Sequence, residues 1–326
     1  MGVVYRALDE GKGCTVALKV FNTDNPELLL LFEREYKTLA KLQHPRVIQV
    51  YDYGFCEGGG RFYTMELLGG ADIARAAPVA WSQLCEHLRD VCTSLSLLHA
   101  LQLVHRDINP RNVRLDQHGR AKLIDFGALT PFGRADQVVG TLSCMAPEAA
   151  RGEELDGRTD LFSLGVVAYW ALTNQLPFAI GQINDVERAH QTLPKPPSHY
   201  TPGIPQALDA LVLSLLSIDP MGRPPSAADM LDRLGAIADL DDAQLAAMAE
   251  SHIASATLVG RETEQAALGQ LAERAWRGHG VCLTIRGGTG IGKTRLLSEL
   301  GTQAQLAGIP VLHIAGSEQQ EPEALL

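Results

Sequence analysis

Three short strings and one asparagine in fixed order constrain this 326-residue chain more than any other feature. His105-Arg106-Asp107 is followed five residues after its aspartate by Asn112 and 18 residues after it by Asp125-Phe126-Gly127. Ala146-Pro147-Glu148 stands about twenty residues further on. Each triplet alone is a weak signal, but the ordered set at these spacings is specific. At about 150 residues per domain the length predicts roughly two domains. The formal net charge of −10 argues against nucleic acid or a membrane surface as partner, since both are anionic. With 46% hydrophobic residues and ordinary numbers of Gly (31) and Pro (17), a globular core is expected and a collagen-like or low-complexity chain is excluded.

The six cysteines, at 14, 56, 85, 92, 144 and 282, form no CxxC pair and no metal-ligand spacing. They are expected to be reduced, mostly buried thiols of a cytoplasmic protein. No basic segment followed by an apolar one opens the chain, so no secretory signal is read. The most apolar stretch, Leu161 to Thr173, falls short of the about 20 residues a membrane span needs and predicts a buried core helix.

Strand-like alternation runs through Val3–Ala7 and Thr15–Val20, with a glycine-containing turn at 11–13. A helix is predicted from Pro26 to Leu42, with Asn25 as N-cap. Further strands are expected at 46–54, 61–67, 113–115 and 121–124, a helix at Trp81–Leu101, and mainly helices beyond Thr159. On the first helix, Leu28, Leu31, Phe32, Leu39 and Leu42 share one face, and Glu35 sits in the middle of it. A carboxylate on a buried stripe needs a cation. Lys19 is a candidate partner, and escape of Glu35 to solvent at the stripe's edge is the equal alternative.

Together these residues resemble the eukaryotic-type protein kinases, specifically the bacterial serine/threonine branch. The resemblance covers residues 1 to about 235 and rests on VALK at 16–19, HRDINPRN at 105–112, IDFG at 124–127, GTLSCMAPE at 140–148, DLFSLG at 160–165 and Arg223 in DPMGRP. It implies an α+β bilobal fold, a small β-rich N-lobe and a helical C-lobe, with ATP and Mg²⁺ as cofactors and protein Ser/Thr as substrate. It further implies that Lys19, oriented by Glu35, holds the α- and β-phosphates and that Asp107 accepts the proton of the substrate hydroxyl. Asn112 and Asp125 would bind Mg²⁺. Val4, Ala17 and Leu115 would sandwich the adenine, with main-chain groups of Met65 to Leu68, Glu66 included, at its edge. Glu148 with Arg223, Asp160, His105 and Phe126 are implied to be structural, and Thr141 to favour a serine/threonine acceptor.

Three positions depart from the family pattern. Of the GxGxxGxV loop only Gly2 and Val4 are present, so the first strand and half the phosphate lid are expected to be missing through a start placed too far downstream. Asn109 stands where the family carries a lysine that contacts the transferred phosphate, which predicts slower transfer; Arg111 is a partial substitute. Between Ala128 and Val139 the only hydroxyl is Thr130, so activation by a neighbouring domain is as expected as autophosphorylation.

Residues 236–257 are read as a linker or a terminal helix, and a second domain opens at 258. Gly287 to Thr294 matches G-x-x-x-x-G-K-[ST]. Strands are expected at Val281–Ile285 and Ile309–Ala315, with a helix from Arg295. In such a P-loop, Gly287, Gly292 and Lys293 hold phosphates and Thr294 the Mg²⁺. LVGRETE at 258–264 resembles the opening motif of AAA/STAND-like ATPases. Residues 258–326 are therefore expected to be the N-terminal part of an α/β P-loop NTPase domain, too short to bury a sheet on both faces, its C-terminal edge poorly ordered. Oligomerisation through that domain is a further expectation; nucleic-acid and membrane partners are not expected.

Overall fold

The computed structural model describes residues 2–239, except 43, 58, 136, 181, 183, 184, 191 and 192, and residues 261–312, except 289 and 290. The chain opens with β1 (Val3–Asp9) and β2 (Cys14–Phe21), and later adds β3 (Val50–Phe55) and β4 (Arg61–Met65). All pairings are antiparallel, in the order β1-β2-β4-β3. Helix α1 (Pro26–Lys41) crosses this sheet. Its start is fixed by Asn25, whose side chain accepts from the Glu27 N–H at 2.9 Å, with Pro26 in the first turn.

The buried face of α1 is Phe32, Glu35, Tyr36 and Leu39. Phe32 and Tyr36 form a compact aromatic cluster with Tyr53 and Tyr63 from the sheet. Leu28 and Leu31, expected on that face, are 42% and 48% exposed. The buried face begins at Phe32 and turns toward Tyr36, which leaves Leu28 and Leu31 uncovered.

The larger lobe is built on α3 (Trp81–Ala100) and α5 (Gly157–Thr173), preceded by the short α2 (Ile73–Ala76) and α4 (Pro147–Arg151). Nearly every side chain of α5 from Thr159 to Leu172 is buried, as an apolar run without a polar face requires. Helices α6 (Val186–His190), α7 (Gln206–Leu215) and α8 (Ala227–Ala238) complete the lobe. Among the described residues no helix is long and apolar enough to cross a membrane.

Short strands carry the loops between the lobes. These are β5 (Leu103–Val104), β6 (Val113–Leu115), β7 (Ala121–Leu123), β8 (Thr130–Pro131), β9 (Gly133–Arg134) and β10 (Glu154–Leu155). β6 pairs with β7, β5 with β8 and β9 with β10. The lobes are stitched where Ile48 N donates to the Leu123 carbonyl and Leu123 N to the Arg46 carbonyl, at 3.1 and 2.9 Å.

Helix α8 continues to Ala238, into the segment expected as linker or terminal helix; 240–260 lie outside the described residues. Beyond them are α9 (Glu262–Trp276) and α10 (Lys293–Leu306). The strand expected at Val281–Ile285 is not formed, nor is residues 309–312 part of one; 313–326, including the expected C-terminal edge, lie outside the described residues. A parallel strand closes its hydrogen bonds only against a neighbour in a covered sheet, and two candidate strands do not make one.

Candidate active site

Three elements bring the first set of charges together. Lys19 lies on β2, in register with Val4 on one side and Tyr63 on the other. Its ammonium stands 2.7 and 2.9 Å from the two carboxylate oxygens of Glu35 on α1, and 3.5 Å from Asp125 Oδ1. Tyr63 donates its hydroxyl to Glu35 Oε1 at 2.9 Å. Of the two alternatives for Glu35, the buried ion pair is therefore the one adopted. Burial by itself would lower the Lys19 pKa, but Glu35 and Asp125 outweigh it and hold the ammonium above its ordinary value. Burial, with the nearby charge of Asp125, pushes the Glu35 carboxyl up against the pull of Lys19 and Tyr63.

Asp107 is the centre of a second set. Its Oδ1 accepts from the Thr141 hydroxyl at 2.7 Å, the Thr141 N–H at 2.9 Å and the Asn109 amide at 3.1 Å. Its Oδ2 accepts from the Asn112 amide at 2.9 Å. Asn109 is buried; its oxygen accepts the N–H groups of Arg111 and Asn112, so it braces the loop as well as touching Asp107 and Thr141. Behind the loop, buried Asp160 accepts the N–H groups of His105 and Arg106, and the His105 ring meets Phe126 edge-on at 4.7 Å. Arg106 and Asp125 both hold left-handed backbone, with φ of 69° and 63°. Such conformations cost about 1–3 kcal/mol each and concentrate at functional sites. The Arg106 guanidinium donates to the Gln137 carbonyl of the segment ahead of Gly140.

The cleft between the lobes is lined by Val4, Ala17, Lys19, Glu66, Leu67, Leu68, Asn112, Arg114, Ile124 and Asp125, among others. Gly2 lies beside it, against Val20 and the Lys19 side chain. The Glu66 carboxylate points elsewhere, to Lys122 at 2.7 Å and the Gln49 N–H at 2.8 Å, and its own N–H is spent on the Gln49 carbonyl. Only its carbonyl is left for a ligand.

Leu115 is not among the lining residues, which corrects the expected adenine sandwich. On β6 alternate side chains face opposite ways. Leu115 packs with the large-lobe core, and Arg114 takes the cleft side. Counting by twos from Asn112 would have found Arg114.

The ligand chemistry of a divalent cation fits the residues present. Asn112 commits its amide nitrogen to the carbonyl and carboxylate of Asp107, which leaves its side-chain oxygen as the ligating atom. Asp125 adds a half-exposed carboxylate. Two oxygen donors beside an ammonium suit a hard cation carrying phosphates.

Gly287, Gly292, Lys293 and Thr294 are not brought to this cleft. They gather at the start of α10, where Lys293 Nζ donates to the carbonyls of Gly287 and Gly288 at 2.8 Å each. Gly292, at φ 93°, occupies a conformation that favours glycine. Arg261, ahead of α9, donates to the Ile291 carbonyl at 3.4 Å.

Residues 1–233 match the family described as protein kinase domain. The serine/threonine-protein kinase PknB of Mycobacterium leprae is 36% identical over 249 residues, covering 71% of this chain and 40% of that protein. Serine/threonine-protein kinase pkn3 of Myxococcus xanthus is 34% identical over 263 residues, 73% of this chain and 48% of its own. Tyrosine-protein kinase MasK of Myxococcus xanthus (strain DK1622) is 34% identical over 236 residues, 65% and 36%. The chain thus spans less than half the length of these relatives.

Proposed function

The chain belongs to the protein kinase family, and on that footing we propose that it transfers the γ-phosphoryl group of ATP to serine or threonine hydroxyls of proteins. The observation that carries this is the lining of one cleft by Lys19, Asn112 and Asp125, with Glu35 bonded to Lys19 from its buried side and Asp107 hydrogen-bonded to Asn112. Phosphoryl transfer needs positioning and charge neutralisation more than covalent chemistry. Lys19, kept charged by its two carboxylates, holds phosphate oxygens. Asp107, fixed on both oxygens by neutral donors, takes the proton of the incoming hydroxyl. Asn112 and Asp125 would hold Mg²⁺, which would neutralise charge on the phosphates.

The acceptor is read as Ser/Thr because PknB and pkn3 are so described and Thr141 sits on Asp107. The test is phosphate incorporation into a generic protein substrate, with phosphoamino-acid analysis, by the full chain and by Asp107→Ala. Phosphoserine or phosphothreonine formed by the unmodified chain alone supports the proposal; incorporation no better than Asp107→Ala sinks it, and phosphotyrosine corrects the acceptor.

One observation favours a second reading, a nucleotide-binding scaffold that signals without transfer. Asn109 fills the gap between Asp107 and Thr141 with a neutral amide, so no cation reaches the transferred phosphate from that position. Binding of ATP without incorporation would be its signature. For residues 258–326 we propose the N-terminal part of a nucleotide-binding P-loop domain of AAA/STAND type, acting as regulator or oligomerisation switch in the cytoplasm. The glycine-rich turn and the placing of Lys293 support it.

A further inference from the structure

The helix after the glycine-rich loop is seated on the small lobe. In its last turn, Gln305 Oε1 stands 2.7 Å from the Tyr36 hydroxyl, whose proton it shares with the Tyr51 carbonyl at 3.1 Å. The Gln305 amide donates to Asp52 Oδ1 at 3.3 Å. Leu306 packs against the aromatic cluster of α1 and the sheet. Nearer the loop, Glu299 meets Lys41 at 3.2 Å. The helix is thus held along α1 and β3 by polar bonds at its middle and in its last turn, with an apolar side chain beside the latter.

Directly behind this contact lies the ion pair of the cleft. The Tyr36 ring is 5.7 Å from that of Tyr63, and the Tyr63 hydroxyl is bonded to Glu35. A continuous run of packed side chains therefore joins Leu306 to the carboxylate that orients Lys19. Packed cores transmit displacement because they hold few voids.

We propose that α10 is a buttress for α1: docked on the face of α1 and β3, it keeps Glu35 against Lys19, so that phosphoryl transfer depends on the docking of the P-loop segment. The occupant of this small-lobe face is thus the chain's own 293–308 segment. The dependence of transfer rests on the kinase reading above; the docking itself does not.

The experiment uses the full chain with Leu306→Asp, which sets an unpaired carboxylate against the aromatic cluster, and Gln305→Ala as a milder variant. Amide hydrogen exchange over 26–41 and 50–55 is followed beside the rate of phosphate transfer. Protection over 161–172, in the core of the large lobe, shows that each variant is folded. Expected is faster exchange over α1 and β3 in Leu306→Asp, with unchanged α5 and transfer reduced about tenfold; Gln305→Ala should lose about two- to threefold. Unchanged exchange over 26–41 overturns the docking. Faster exchange with unchanged transfer overturns the coupling. An unmodified chain that transfers nothing overturns the kinase reading instead, and exchange alone then decides the docking.

Discussion

Among single residues, the chemistry of the cleft turns on which charges are matched and which are missing. Asn109 is the missing one. Lysine there would place a cation beside Asp107 and Thr141, and Asn109→Lys is expected to raise kcat several-fold, read in steady-state transfer assays. The loss of its bonds to Arg111 and Asn112 works against that gain, so the variant's KM for ATP is the check that the loop survives. Glu35 gives a pH prediction. The pair with Lys19 exists only above the Glu35 pKa, which burial has raised, and it is lost as pH falls through that value. The Tyr63 hydroxyl favours the ionised form, so Tyr63→Phe moves the acid limb of kcat/KM to higher pH. The apolar stripe alone left pairing of Glu35 with Lys19 and its escape to solvent as equal alternatives, and only the resemblance to the kinases decided for the pair. Arg114 was not read, although the alternation that places it in the cleft is as simple a rule.

At the scale of elements, the position of Asp107 depends on a loop held from two sides. Gly140 has φ 121°, and a Cβ there would come within 2.5 Å of the Arg106 carbonyl, a backbone atom that cannot yield cheaply. Gly140→Ala therefore displaces Thr141 from Asp107. A misplacement of about 1 Å at a reacting group costs on the order of a hundredfold, and kcat should fall by that order while ATP affinity is kept. Helix ends and the buried course of α5 followed from local chemistry: the Asn25 cap, Pro26, and an apolar run with no polar face. The strands expected around the glycine-rich loop did not, because a strand is a property of its neighbours as much as of its own residues. The seating of α10 left no trace either. Gln305 and Leu306 are ordinary helix residues until the partner surface is known.

For the whole molecule, two lobes and a stitched hinge have to stay folded for the cleft to exist. The large lobe is tied by Arg223, whose guanidinium meets Glu148 at 2.6 and 2.8 Å with both side chains almost fully enclosed. Arg223→Met leaves a buried carboxylate unpaired and should cost about 3–5 kcal/mol, seen as a lowered urea midpoint, while adding Glu148→Gln restores much of it. The bilobal organisation was readable because the ordered strings fall on its loops. How the C-terminal segment sits on it was not, since that contact joins residues about 270 apart through a tyrosine and a glutamine.

The claim on which all of this depends is that one cleft holds magnesium and ATP together. Calorimetric titration of ATP into the Lys293→Ala chain, which silences the glycine-rich loop, with and without Mg²⁺, tests it most directly. Binding is expected to strengthen with Mg²⁺, to lose that dependence in Asp125→Asn and to keep it in Asp107→Asn. Binding indifferent to Mg²⁺, or equally Mg²⁺-dependent after Asp125→Asn, would contradict it.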